Sequence, residues 1–93
     1  MFSWDIRKAI SNFEKHGVSF EEAVTTFNDE NGLDWTDLEH SVGEDRRKRL
    51  AISDASRILI TVYTSRRLRN GKETTRIISS RRASRRERKA YER

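Results

Sequence analysis

Apolar residues recur at helical spacing through the first third of the chain and then change period. Ile6, Ala9, Ile10 and Phe13 follow the i, i+3, i+4, i+7 pattern of one helix face, with Asp5 placed to cap the start. Lys15 and His16 suit the negative end of that helix, and Gly17 supplies the left-handed position that closes it. A second helix begins almost at once. Ser19 with Glu22 reads as a capping box, Val18 can staple onto Ala23, and Phe20, Ala23, Val24 and Phe27 repeat the apolar spacing. Residues 28–32, Asn-Asp-Glu-Asn-Gly, form a turn.

Beyond this point the pattern is that of strands. Leu33 to Leu38 is a weak strand, and Arg47 to Ser53 a second, with Leu50 and Ile52 on one face. Arg57 to Ser65 holds the β-branched run Ile58-Leu59-Ile60-Thr61-Val62-Tyr63 expected of a central strand, and Thr74 to Ser80 is a fourth. Asn70-Gly71 marks a hairpin turn between the last two. Ser84 and Glu87 form another capping box, which opens a C-terminal helix through Tyr91. Phe2 to Trp4 can add a short edge strand. The expectation is one α+β domain over residues 1–93. It has two N-terminal helices, an antiparallel sheet of about four strands and a C-terminal helix.

Composition narrows the function classes. Only 33% of residues are hydrophobic and 38% are charged, so a chain of 93 residues has one modest core. It has no cysteine, which removes disulfides and thiolate metal sites, and its two histidines, His16 and His40, stand far apart. No metal or other cofactor is expected. No apolar run approaches a membrane span, and the opening residues are mixed and charged rather than a signal peptide, so a cytoplasmic protein without membrane contact is expected.

Charge is divided unevenly. Residues 1–45 carry 3 Lys+Arg against 11 Asp+Glu, whereas residues 46–93 carry 17 against 4. A basic half of that density, rich in arginine, suits a polyanion, most simply nucleic acid. The acidic half can dock on basic residues of this chain or of a protein partner.

Four ordered blocks carry a family resemblance. They are Phe2-Ser3-Trp4-Asp5 with Asn12, Lys15 to Ala23, Asp37 to Arg46, and Val62-Tyr63-Thr64 with Arg66, Arg76 to Ser84, Glu87 and Tyr91. Together they resemble the BrnT toxins over nearly the whole chain. The resemblance implies a RelE-like fold and an endoribonuclease that inhibits translation. It also implies a BrnA-like ribbon-helix-helix antitoxin, with operator DNA reached only through that partner. Three departures stand out: a longer loop between Thr64 and Arg76, Ser80 in place of the usual alanine, and no proline in residues 28–30.

Metal-independent RNA cleavage uses the substrate's own 2′-hydroxyl. It needs a base, positive charge on the phosphate and an acid for the departing 5′-oxygen. Arg76, Arg81 and Arg66 are the candidates for positive charge, and Arg66 and Arg76 come close if their strands pair. His40, Glu44 and Tyr63 are the candidates for proton transfer. His40 has the most suitable intrinsic pKa, although it can equally pin its own turn. Glu44 can be a base or can orient an arginine, and Tyr63 can pack on the sheet or stack on a base. Arg46, Arg67, Arg69, Arg82, Arg85 and Arg86 are candidate RNA-binding residues. His16 reads as a helix-end residue, and Trp4 and Trp35 as packing residues, although one of the two can stack on a base. Two other functions fit the same charges: a nucleic-acid clamp that cleaves nothing, and a protein-interaction subunit with a basic docking face.

Overall fold

The computed structural model describes residues 1–93. Strand β1 (Phe2–Ser3) leads into α1 (Ile6–His16) and α2 (Phe20–Thr25). Strands β2 (Leu33–Thr36), β3 (Arg46–Ile52), β4 (Ile58–Arg67) and β5 (Glu73–Arg82) follow, and α3 (Arg85–Tyr91) comes last. The sheet order is β1-β5-β4-β3-β2. Strands β2 to β5 form the expected antiparallel meander, while β1 joins β5 in parallel, which makes the sheet mixed and five-stranded. No helix is long and apolar enough to cross a membrane.

The helix ends form as their residues dictate. Asp5 accepts from the backbone of Arg7 and Lys8, and Gly17 closes α1 at φ 68°. Ser84 and Glu87 complete the reciprocal capping box of α3. The Ser19 box is only half made. The Ser19 hydroxyl caps Glu22, but the Glu22 carboxylate turns away to Arg57 and to the Ser53 hydroxyl, 2.6 Å distant. An ion pair outcompetes a second capping bond there, and it draws the acidic helix onto the basic half of the sheet.

Helix α1 does not bury its apolar stripe. Ile6, Ile10 and Phe13 remain 67%, 57% and 57% exposed, while Asn12 is buried. Asn12 explains the rotation. Its amide nitrogen donates to the carbonyls of Val18 and Ser80, and its amide oxygen accepts from Ser80 N–H. Three buried hydrogen bonds fix which side of the helix meets β5. The stripe is left lining an open groove with Phe20 and Glu21.

The core lies on both sides of the sheet. On one face Phe20, Ala23, Tyr63 and Ile77 pack with Phe2, Trp4, Ala9, Val24 and Phe27. On the other face Leu50, Ile60 and Ala83 pack with Ile58 and Tyr91 under α3. Because α3 is short, it covers only one end of this second face.

Arg49 stitches the first face to the turn after α2. It donates to Thr26 and Asp29 carbonyls, pairs with Asp34 at 2.6 Å and stands over the Phe27 ring. Gly32 makes room for it, since a Cβ there would collide with the Arg49 guanidinium.

Candidate nucleic-acid interface

Strand alternation sorts the basic residues between the two faces. Arg49 and Tyr63 point to the helix-covered face, where both reach Asp34. Lys48 and Val62, their chain neighbours, therefore point to the other face. Register then defines successive rows across that face. Leu33, Leu50, Ile60 and Arg81 form the row beside α3. Trp35, Lys48, Val62 and Ser79 form the next. Arg46, Thr64 and Arg76 form the third. Arg66, opposite Thr74, continues the series.

The second row borders a cleft of about 270 Å³ lined by His16, Lys48, Ile60, Val62, Ser79, Ser80 and Arg81. Strand β1 pairs with β5 only at Thr75 and Arg76, so no strand borders β5 at Ser79. The C-terminal end of α1 reaches that edge and brings His16 to the cleft. Neither His16 nor Lys48 stood out in the sequence as a site residue. Lys48 was detectable in principle, because it alternates with Arg47 and Arg49 along one strand. His16 was hidden by its fitness as a helix-ending residue.

The third row is the most cationic. Arg46 and Arg76 flank Thr64, whose hydroxyl is buried without a hydrogen-bond partner. Glu44 bonds Arg46 at 2.7 Å and stands 3.7 Å from Arg66. The Arg46 hydrogen bond holds its carboxyl below the usual range, so Glu44 orients arginines as a carboxylate. Arg66 and Arg76 are diagonal neighbours rather than directly opposed, since Arg66 faces Thr74 and Arg76 faces Thr64. Arg76 makes no ion pair.

The other sequence candidates are dispersed. Arg81 forms a two-pronged pair with Glu87, which ties the first row to α3. His40 sits in a short helical turn, 60% exposed, with Nδ1 3.1 Å from the buried Asp37 carboxylate. Tyr63 lies on the helix-covered face, away from the cleft, where its hydroxyl donates to Asp34 at 2.6 Å. Burial first, and then that bond, push its pKa up. Arg82 follows Arg81 on the strand and so faces the covered side, where its charge is felt by Glu22. Arg67 pairs with Glu73 at the hairpin end, and Arg69 lies in the exposed tip. Arg85 and Arg86 are exposed on α3. No group of three or more His, Asp or Glu side chains converges as a metal site would require.

The uncovered face is therefore a strip of cations with Ser79 and a histidine at one margin, suited to holding a phosphodiester and stabilising added charge on it. The fold is similar to that of the ribonuclease toxin BrnT of Brucella abortus in its 1.1 Å crystal structure, with a TM-score of 0.67. That likeness spans 90% of this chain and 97% of the other, at 22% identity. No curated protein matches. The model of the ribonuclease toxin family BrnT, of type II toxin–antitoxin systems, matches residues 4–87. With nine-tenths of its length inside that match, this chain belongs to the BrnT family of ribonuclease toxins.

Proposed function

We propose that this protein is an endoribonuclease that cleaves messenger RNA on the uncovered sheet face without a metal and thereby inhibits translation. The observation that carries this reading is the succession of cations along the face: Arg81, then Lys48, then Arg46 with Arg76, then Arg66. Alternate residues of a strand are about 6.6 Å apart, so an RNA strand running along β4 meets a cation at every row.

In the proposed reaction the ribose 2′-oxygen attacks the adjacent phosphorus and the bond to the 5′-oxygen breaks. The 2′-proton goes to a base, and the departing 5′-oxygen takes a proton from an acid. The products are a 2′,3′-cyclic phosphate and a 5′-hydroxyl. Arg46 and Arg76 offset the charge gathering on the phosphate oxygens, while the Glu44 carboxylate holds both Arg46 and Arg66 in place. His16 at the cleft margin is better placed for proton transfer than His40, which is engaged with Asp37. We assign the control of this activity to a BrnA-like ribbon-helix-helix antitoxin, through which alone the pair reaches operator DNA, all within the cytoplasm.

The test is to incubate purified protein with RNA, alone and on translating ribosomes, in the presence of EDTA. Cleavage to cyclic-phosphate ends is expected, and a 2′-deoxy substitution at the cut nucleotide should abolish it. RNA that is bound but left intact under both conditions would establish a clamp in place of an enzyme.

A further inference from the structure

The second row of the uncovered face ends in an exposed aromatic ring. Trp35 is 41% exposed on β2, one of the two edge strands of the sheet, and pairs in register with Lys48. Asp34 beside it is turned to Arg49 and Tyr63 on the covered face, so the Trp35 side chain is on the same side as Lys48. The other tryptophan behaves differently. Trp4 packs edge-on against Phe20 at 5.9 Å, within the core, whereas Trp35 stacks on no aromatic ring of its own chain.

We infer that Trp35 is a stacking platform for an unpaired base of the RNA, a nucleobase subsite beside the phosphate-binding strip. This rests on the reading of the uncovered face as the RNA face. Three observations converge on a base rather than an apolar partner. The ring is immediately flanked by a lysine with no carboxylate partner. It lies at the edge of the sheet, where a base can swing out from a backbone held by Lys48 and Arg46. The strip it borders carries a cation in every row. An aromatic ring interleaved with phosphate-binding cations is the arrangement that single strands use, because every base offers a π-face. Trp35 thus fixes where the strand meets the cationic face, and it favours RNA whose bases are unpaired.

Intrinsic fluorescence provides the test, with a 2′-O-methylated RNA oligonucleotide that cannot supply the attacking hydroxyl. Titration of the Trp4→Phe variant, in which Trp35 is the sole reporter, should quench its emission. Trp35→Ala should weaken binding of the oligonucleotide by about 5- to 150-fold, and Trp35→Phe should recover most of the loss. The salt dependence of binding should keep its slope in Trp35→Ala and become shallower in Lys48→Ala, which separates a lost stack from a lost phosphate contact. Unquenched Trp35 emission, or unchanged affinity in Trp35→Ala while Lys48→Ala weakens binding, would overturn the inference. Loss of antitoxin binding in Trp35→Ala with RNA affinity intact would also overturn it, and would make the ring a protein contact. If wild-type protein binds no RNA, the reading of the whole face fails, and the stacking site fails with it.

Discussion

Arg81 and Glu87 meet through two parallel hydrogen bonds of 2.8 and 2.9 Å, joining the last strand to the last helix. Sequence distance alone does not reveal the pair, because Glu87 also serves as the closing residue of the α3 capping box. One carboxylate therefore holds the helix start and the arginine together. The fork geometry uses both outer nitrogens of the guanidinium.

This pair sets a pH dependence. Arg81 first, with the Ser84 backbone N–H assisting, lowers the Glu87 pKa to about 2. A carboxylate depressed in the folded state contributes stability at pH values above its unfolded pKa of about 4.3, and loses it as pH falls through the folded value. Stability should therefore fall between about pH 4 and 2 in the wild type. In Glu87→Gln that part of the acid dependence should be absent, with Tm at neutral pH lowered by roughly 2–6 °C. Thermal denaturation across pH measures both.

Arg76 and Arg81 should separate experimentally. Arg76 has no ion-pair partner, so Arg76→Ala should cost roughly 10²–10³ in kcat with Tm unchanged. Arg81→Ala should lower Tm as Glu87→Gln does, and combining the two should add little further loss of stability. A cleavage assay paired with thermal melts distinguishes them. Equal Tm losses in both arginine variants would contradict the assignment.

Asn12 should be among the most sensitive positions outside the cationic face. Replacing it by Ala leaves the Val18 and Ser80 carbonyls and the Ser80 N–H without their partner in a buried site. Chemical denaturation should report a loss of roughly 2–4 kcal/mol for Asn12→Ala. Ser11→Ala, on the exposed neighbour, should change stability by less than about 0.5 kcal/mol.

Tyr63 should prove structural. Its raised pKa keeps the phenol neutral, and its hydroxyl is spent on Asp34 on the covered face. Tyr63→Phe should lose about 1 kcal/mol of stability. Its cleavage rate should stay within roughly threefold of wild type, against the 10²–10⁴ typical of a lost acid or base. His16→Ala should reduce kcat more than His40→Ala, as measured in the same assay.

Local chemistry made much of the fold legible. Asp5 and Gly17 delimit α1, Ser84 opens α3, and the Ile58-to-Tyr63 run became the central strand β4, as their residue types require. What remained hidden depends on partners far along the chain. The stripe of Ile6, Ile10 and Phe13 read as a core face, yet three hydrogen bonds from Asn12 turned it outward. The bulge between Val62 and Tyr63 resets the pairing of β4 with β5, and with it which arginines share a row. The cationic half could thus be recognised from composition, whereas the grouping of Arg46 with Arg76, and of Lys48 with His16, needed the register.

The clamp from Asn12 to Ser80 spans 68 positions, and it has a consequence for how the molecule comes into being. A ribosome releases the acidic helices first, but α1 cannot seat until β5 has emerged and paired. Contacts of such separation form late and slowly. A nascent chain halted before β5 holds Lys48 and Arg66 but neither Ser80 nor the arginine that completes the third row. The cationic face is thus incomplete until synthesis is nearly finished.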